Sequence, residues 1–488
     1  MSRLPIVVLH GYSDRASSFH GWRAILREMG YDARSIHLGD YVSQSNEITI
    51  KDIAEGFDRA LREEAGLDAE EPFDALVHST GGLVIREWLV TYGSRRKRLK
   101  RLVALAPANF GSPLAHRGQS WLASAFKGKG ELGPDFMETG HLVLSGLELG
   151  SSYTWDLAER DLLGPKPAPG EPSKPSPDEM EPIFGESEDS PFPFVLIGLD
   201  DYGPFKRVFI DEPGTDGTVR WAGAAMNSRK IEVDLTREPG ESKGGWFKPA
   251  EWHNIDIPLV LLPGLNHGTI VSAPSEQLIE MVRDALRVEN MDQYRAWSES
   301  YSTLVGDRLE RVGADRWQQF VVRVIDERGD PVPDYYLEFA ENGELIKDFS
   351  LDVHPFMGDE SFRCFHVNLS KLKPEQRTAL ELRLVARSGT ELVAYHGAGS
   401  QVFTRGGARK QAPEGDPAWD ACLDMTSLLD DEKVKLFFPY TTTLLQVRLN
   451  REPMPPTGVS HVLRFAGADD SKGWIRRWLR RLRPGSRR

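Results

Sequence analysis

The alternation of short apolar runs with helical patterns restricts the fold of this chain more than any other feature of its first 110 residues. Segments with apolar residues at helical spacing, such as Ile53, Phe57 and Leu61, separate the runs. Continuous apolar strands between helices are typical of a mainly parallel sheet that helices cover on both faces. The sequence therefore predicts an α/β fold. Its predicted strands are Ile6–Leu9, Ser35–Leu38, Phe73–Val77, Leu102–Ala106, Phe194–Leu199 and Ile257–Leu262.

A long insertion separates the fourth of these strands from the fifth. The pattern is helical but irregular over Leu114–Leu163, and Pro165–Pro193 then holds nine prolines, which disfavour both helix and central strand. Because long insertions in such folds lie over the ligand site, Leu114–Pro193 is predicted to form a helical and Pro-rich cap. Whether its large aromatic residues contact a ligand or only pack stays open. They are Trp121, Phe126, Phe136 and Trp155.

The pattern changes again near Trp317, where turn signals rather than helices separate the apolar runs. This pattern predicts a C-terminal all-β, sandwich-like domain, which we interpret as a structural or oligomerisation module in preference to a binding module. The predicted divisions are a first domain at 1–290, a helical connector at 291–314, the β domain at 315–468 and a basic tail at 469–488. The strand-like runs are Phe320–Ile325, Tyr335–Phe339, Phe362–Leu369, Leu380–Ala386, Val434–Phe438 and Leu444–Leu449.

Ser79 lies where the third predicted strand ends and a helix begins. A nucleophilic serine at such a turn needs small residues two positions before and after it, because the turn is sharp and lifts the hydroxyl above the sheet. Gly81 fits this pattern, whereas Val77 departs from it. Ser79 is therefore a candidate nucleophile.

A nucleophilic serine also needs a general base and a carboxylate that orients the base. Asp216 and His267 lie in loops beyond the fifth and the last predicted strands, and parallel sheets bind ligands at the carboxyl ends of their strands. We predict that these two residues complete the site. Other residues compete for the two roles: Asp200, Asp201 and Asp211 for the carboxylate, and His141 and His253 for the base.

Together these motifs resemble those of the α/β-hydrolase lipases. The Asp-Gly-Thr-Val loop is similar to that of the lipase, lecithin:cholesterol acyltransferase-like and GPI-inositol-deacylase-like branches. The resemblance covers about the first 290 residues and rests on His10-Gly11, His78–Gly82, Asp216–Val219 and His267-Gly268.

The resemblance implies hydrolysis of carboxylic esters, lipids included, through an acyl-enzyme on Ser79. His267 is then the general base, and Asp216 orients it. The N–H groups of Tyr12 and Thr80 form the oxyanion hole, while the His10 side chain braces its loop. An acyltransferase of the same fold, or a non-catalytic interaction protein that retains it, stays open as an alternative.

Composition narrows the function further. A net charge of −13 argues against a general nucleic-acid binder, because phosphate contacts require an excess of Lys and Arg. No motif indicates a metal or another cofactor. The N-terminus lacks a secretory pattern and no apolar run is long enough to span a membrane, so a cytoplasmic location is expected, and export by a signal-free route stays open as an alternative. The sequence does not indicate the oligomeric state, or whether Cys364 and Cys422 form a disulfide.

The tail has a charge opposite to that of the whole chain. Residues Gly473–Arg488 contain seven Arg and no acidic residue, and the apolar residues of this segment recur at helical spacing up to Pro484. A basic amphipathic helix with Trp474 and Trp478 on its apolar side suits an anionic membrane surface. Docking on an acidic face of the same protein is the alternative.

Overall fold

A computed structural model of the 488-residue chain describes residues 3–12, 14–92, 97–117, 140–163, 183–202, 212–237, 246–250, 255–347, 351–390, 392–398, 402–404, 407–409, 418–424 and 436–453. Several predictions fall outside the described residues. They concern Trp121, Phe126, Phe136, Asp211, His253, the Cys422 side chain and the tail at 469–488.

The predicted parallel sheet is confirmed. Six strands lie in the order β2-β1-β3-β4-β5-β8, and every neighbouring pair is parallel. The central strand β3 is buried along its whole length, which explains its continuous apolar character. The strands are β1 (Ile6–Leu9), β2 (Ile36–Gly39), β3 (Phe73–His78), β4 (Leu99–Leu105), β5 (Phe192–Gly198) and β8 (Leu259–Leu262).

Helices cover this sheet and form the insertion. Helix α2 shows why they form where they do: the Thr49 side chain accepts from the Asp52 amide, Asp52 accepts from the Thr49 amide, and the apolar face is buried. The described helices are α1 (His20–Glu28), α2 (Ile50–Glu63), α3 (Gly81–Thr91), α4 (Pro113–Arg117), α5 (His141–Leu147), α6 (Ser152–Asp161), α7 (Trp221–Ala224), α8 (Thr269–Ser272), α9 (Glu276–Ala285), α10 (Met291–Val312) and α11 (Leu369–Leu372).

Two further sheets contain most of the C-terminal strands. One has seven strands, ordered β12-β13-β9-β19-β6-β7 with β15 beside β19, and the other has four, ordered β11-β10-β14-β18. Strands β16 and β17 form a separate pair. The bounds are β6 (Ser228–Asp234), β7 (Phe247–Pro249), β9 (Trp317–Asp326), β10 (Asp334–Glu341), β11 (Glu344–Leu345), β12 (Leu351–Pro355), β13 (Phe362–Asn368), β14 (Leu380–Arg387), β15 (Val393–His396), β16 (Val402–Thr404), β17 (Gly407–Arg409), β18 (Ala418–Asp424) and β19 (Thr442–Pro453).

Strand β9 of the seven-stranded sheet is buried on both faces. On β9, Phe320, Val322 and Val324 belong to a core shared with the four-stranded sheet. The intervening Val321 belongs instead to the core that surrounds the parallel sheet. Because side chains alternate across a strand, one sheet therefore serves two cores, and the C-terminal half is packed directly against the α/β part.

Strands β6 and β7 were not predicted, and they join the C-terminal sheet although they precede residue 290. The charged side chains of β6 obscure its period. Lys230 is nevertheless buried, because it pairs with Glu159 of the insertion and lies over the ring of Trp155. The predicted domain boundaries stay a prediction.

Two ion pairs attach α6 of the insertion to α3. Buried Arg86 donates to both carboxylate oxygens of Asp161 at 2.6 and 2.9 Å, and Arg160 pairs with Glu87 at 3.0 Å. Trp155 of α6 is fully buried against Phe362, so it is a packing residue. This part of the insertion is therefore held firmly on the parallel sheet.

Candidate active site

Ser79 occupies a strained turn between β3 and α3. Its φ is 52°, in the left-handed region that residues other than glycine rarely adopt. The turn passes so close to the loop after β1 that a Cβ at Gly81 would lie 3.0 Å from the His10 carbonyl oxygen. Val77, the departure from the small-residue pattern, is buried beside Leu9 and Ala104 in the neighbouring strands. The sheet accommodates the larger residue here while keeping the sharp turn after it.

The loop after β1 passes directly against Ser79. A Cβ at Gly11 would lie 2.8 Å from the Ser79 Cβ, so the approach requires glycine. The loop is braced by His10, whose Nε2 accepts from the Tyr41 amide at 3.0 Å and whose ring stacks on Tyr41 at 4.1 Å. Tyr12 follows in this loop, and burial raises the pKa of its phenol to about 12.

Asp216 lies at the tip of a tight turn and is fully buried. Its Oδ1 accepts from the amides of Thr218 at 3.0 Å and Val219 at 2.8 Å. Gly217 has a φ of 92°, which allows the chain to reverse at this point. The two amides hold the carboxylate as an acceptor and leave its Oδ2 for another donor.

His267 occupies the loop between β8 and α8 and supplies that donor. Its Nδ1 is 2.9 Å from the Asp216 Oδ2, and its amide donates to the Asp216 carbonyl at 3.0 Å. Asn266 shapes the loop, because its side-chain oxygen accepts from the amides of Gly268 and Thr269. Since Nδ1 donates to a carboxylate, Nε2 of the neutral ring is left as the basic nitrogen.

Sequence reasoning missed two residues that hold this arrangement. His78 precedes the serine, and its Nε2 donates to the His267 carbonyl at 3.1 Å. Burial and the neighbouring His267 hold the pKa of His78 well below its usual range. Tyr202 lies over Gly217 and hydrogen-bonds Thr218 at 3.1 Å. His78 could have been predicted from its position beside Ser79, whereas no sequence motif marks Tyr202, which follows β5.

A cavity of about 390 Å³ brings the predicted residues together. Ser79, His267, Tyr12 and Thr80 all line it, and Asp216 lies behind His267. One part of the wall is apolar and comes from the insertion and from α8, namely Ala115, Leu144, Leu147 and Val271. Near the loop that follows β1 the wall is polar, with Asp14 and Ser18.

Of the competing residues, the structure describes Asp200, Asp201 and His141, and none of these has a described hydrogen bond to the His267 ring. Asp200 Oδ2 accepts from the Gly264 amide at 3.1 Å, and the Asp201 carbonyl accepts from Asn266. Both aspartates thus support the loop that leads to His267 without contacting its ring in any described hydrogen bond. His141 begins α5 and lines a neighbouring cavity of about 350 Å³, which shares Ala115 and Leu144 with the cavity at Ser79.

Comparison with solved structures agrees with this architecture. Phospholipase PlaB from Legionella pneumophila superposes with a TM-score of 0.73 at 21% identity, over 95% of this chain and 96% of PlaB. The chain has the α/β-hydrolase fold. The α/β-hydrolase fold predicted from the motifs is thereby confirmed, and its likeness to PlaB includes the β-rich half.

A second structure of PlaB, in complex with thio-NAD, superposes with a TM-score of 0.71 at 21% identity and the same coverage. No protein-family model and no curated protein sequence matches the chain. Among the described helices of this α/β-hydrolase fold, none combines the length and apolarity that crossing a membrane requires. Nor do three or more His, Cys, Asp or Glu side chains converge on a metal site in the described ranges.

Proposed function

We propose that the chain is a serine hydrolase of carboxylic esters, with Ser79 as its nucleophile, His267 as its general base and Asp216 orienting the base. One observation supports this most: a serine in strained backbone geometry shares a cavity with a histidine whose other nitrogen donates to a buried carboxylate. The likeness to PlaB, a phospholipase by name, is in keeping with an ester substrate.

In the first half of the reaction, Ser79 Oγ attacks the ester carbonyl while His267 Nε2 takes its proton. The tetrahedral oxyanion accepts from the amides of Tyr12 and Thr80. When the C–O bond to the alcohol breaks, His267 returns the proton to the departing oxygen. The acyl group is then bound to Ser79 Oγ as an ester.

In the second half, water replaces the alcohol. His267 takes a proton from the water, whose oxygen attacks the acyl carbonyl, and the Ser79 Oγ leaves with that proton. Asp216 stabilises the imidazolium in both halves and stays ionised. If an alcohol enters instead of water, the product is a new ester, so product analysis with and without added alcohol separates hydrolysis from acyl transfer.

The cavity wall indicates the part of the substrate that it receives. Leu144 and Leu147 of α5 face the cavity together with Val271, so the acyl chain is placed along this apolar wall. The polar wall with Asp14 and Ser18 is left for the alcohol portion. We therefore propose lipid-like esters, including phospholipids, as the substrate class.

Filling the apolar wall is expected to shorten the preferred acyl chain. In Leu144→Trp the indole occupies space that a long acyl chain needs, so kcat/KM for nitrophenyl decanoate should fall at least about tenfold. A change of this size corresponds to losing the contacts of one or two methylene groups in an apolar pocket. The value for nitrophenyl acetate should stay within about twofold. Turnover of a nitrophenyl ester series by the purified variant measures both.

Leu142→Trp is the matched control. Leu142 lies on the same helix but is 39% exposed, whereas Leu144 is 3% exposed and lines the cavity. The control should retain the parental chain-length profile. An unchanged profile in stably folded Leu144→Trp would contradict the placement of the acyl chain.

For the tail, outside the described residues, we propose contact with anionic membrane. Each Arg near such a surface contributes about 1 kcal/mol, and salt screens it. Vesicle sedimentation should show binding that rises with phosphatidylserine content, falls with salt and disappears when residues 473–488 are deleted. Equal binding by the truncated protein would exclude the tail as the membrane contact.

A further inference from the structure

From the contacts of the loop that holds Asp216, we infer that Arg220 is a positioning residue for this carboxylate and that the C-terminal sheet supports the active site through it. This inference rests on the proposed function, because it concerns the carboxylate that orients His267. It also assigns the C-terminal sheet a part in catalysis, which the sequence did not suggest.

Arg220 is a fully buried cation between the two halves of the molecule. Its Nε donates to Glu212 Oε1 at 2.6 Å, its Nη2 donates to Asp352 Oδ2 on β12, and its Nη1 donates to the Cys364 Sγ on β13 at 3.4 Å. One guanidinium thus joins the chain before Asp216 to two strands of the C-terminal sheet. The guanidinium directs five N–H donors in a fixed planar fork and so reaches partners on three sides, whereas a lysine carries its three donors on a single nitrogen.

The turn that holds Asp216 is closed at its base by the same arginine. Thr215 and Arg220 form a β-bridge, and the Asp216 amide donates to the Val219 carbonyl at 3.1 Å. The salt bridge between Glu212 and Arg220 therefore spans the two ends of a short loop with Asp216 near its tip. A shift of Arg220 moves the end of the turn whose amides hold the Asp216 Oδ1.

The C-terminal sheet also packs against the turn itself. A Cβ at Gly214 would lie 2.8 Å from ring atoms of both His366 and Trp317, which stack on each other with centroids 4.2 Å apart. On the other side of Arg220, the Thr442 hydroxyl donates to the Ala222 carbonyl at 2.9 Å. Contacts from β9, β13 and β19 thus surround the segment on both sides of Asp216.

Two sets of contacts therefore have different roles in positioning the carboxylate. The two amides and the Oδ2 contact place Asp216 relative to His267, and the Arg220 cluster places the turn relative to the sheet. A displacement of about 1 Å at a reacting group can lower a rate about a hundredfold, so loosening the cluster affects the chemical step more than substrate binding.

The experiment compares Arg220→Lys and Asp352→Asn in the full chain. We expect kcat and kcat/KM to fall together, about a hundredfold for Arg220→Lys and about tenfold for Asp352→Asn, with KM unchanged within about twofold, because the lost interaction acts in the transition state. The acid side of the kcat/KM profile should also move to lower pH, because a displaced carboxylate stabilises the protonated base less.

Glu341→Gln is the matched control. Glu341 of the four-stranded sheet pairs with Arg377, and the two side chains are 24% and 25% exposed, so Glu341→Gln breaks a partly buried ion pair of the C-terminal half outside the Arg220 cluster. The control should nevertheless keep the parental kcat and pH profile. If Arg220→Lys does not fold, Asp352→Asn still tests the inference, because the Asp352 side chain is largely exposed and its replacement is easier to tolerate.

The inference is overturned if both variants resemble the control, with a lower melting temperature but parental kcat and an unmoved acid limb. That result leaves the proposed function intact as long as Ser79→Ala is inactive. If Ser79→Ala is active, the proposed function itself fails.

Discussion

Ser79→Ala and His267→Ala should each abolish ester hydrolysis, with a fall in kcat on the order of 10⁶, the loss measured for other serine triads. In the proposed mechanism Ser79 Oγ is the nucleophile, and His267 Nε2 accepts its proton because the Nδ1 of that ring lies 2.9 Å from Asp216 Oδ2. The double variant should be no slower than either single one, since the two residues act as a unit. Turnover of a nitrophenyl ester measures all three.

Folding must be shown to survive these changes. Ser190→Ala is a suitable control, because Ser190 is also buried and its hydroxyl has no partner among the described residues. It should match the parent in turnover, and all variants should give the parental circular dichroism. Labelling by a fluorophosphonate should be lost in Ser79→Ala. Near-parental turnover by purified Ser79→Ala would refute the whole proposal and favour a non-catalytic role for the fold.

Asp216→Asn is expected to lower kcat about 10⁴-fold, as the corresponding change does in other triads. Two amides donate to the Oδ1, so the amide group of an asparagine must turn its own –NH₂ towards His267. The imidazole Nδ1 then has to accept, which moves the ring proton to Nε2 and removes the general base. The measurement is turnover of the same ester.

Asp200→Asn is the matched control, because Asp200 also follows β5 and the only described hydrogen bond of its side chain is the one it accepts from the Gly264 amide. Its turnover should fall less than about tenfold, as for a surface change away from the reacting groups. The reverse result, with active Asp216→Asn and inactive Asp200→Asn, would transfer the carboxylate role to Asp200.

The sequence predicts the parallel sheet well because its strands are buried on both faces and therefore read as unbroken apolar runs. Strand β6 was missed because charged residues interrupt its apolar pattern, and the burial of one of them, Lys230, depends on Glu159 and Trp155, which are far away in the sequence. Of the strand predicted at Val434–Phe438, the structure describes residues 436–438, and for these the prediction is wrong because they have no regular structure. Leu436 and Phe437 pack in the core without pairing in a described sheet, and periodicity cannot distinguish a core loop from a strand.

The residues of the candidate site also differ in whether local sequence is enough to predict them. Ser79 and His267 could be predicted because each stands in a short motif formed by the residues adjacent to it in the sequence. The choice of Asp216 over Asp200 depends on which of the two loops reaches His267. The secondary-structure propensities of the residues do not determine this. Arg220 was not predicted at all, because its partner Asp352 lies 132 residues away. Pairings at such separations become visible only in the folded chain.

Strand β19 is the last described strand, yet it lies inside its sheet, parallel to both β9 and β6. The hydrogen bond from Ser228 to the Thr442 carbonyl spans 214 residues, so this closure has a very high contact order and is slow to form. During translation β6 and β9 present unpaired edges for as long as β19 is missing, and such edges recruit other chains. Completion of this sheet therefore waits until β19, which ends at Pro453, has emerged from the ribosome.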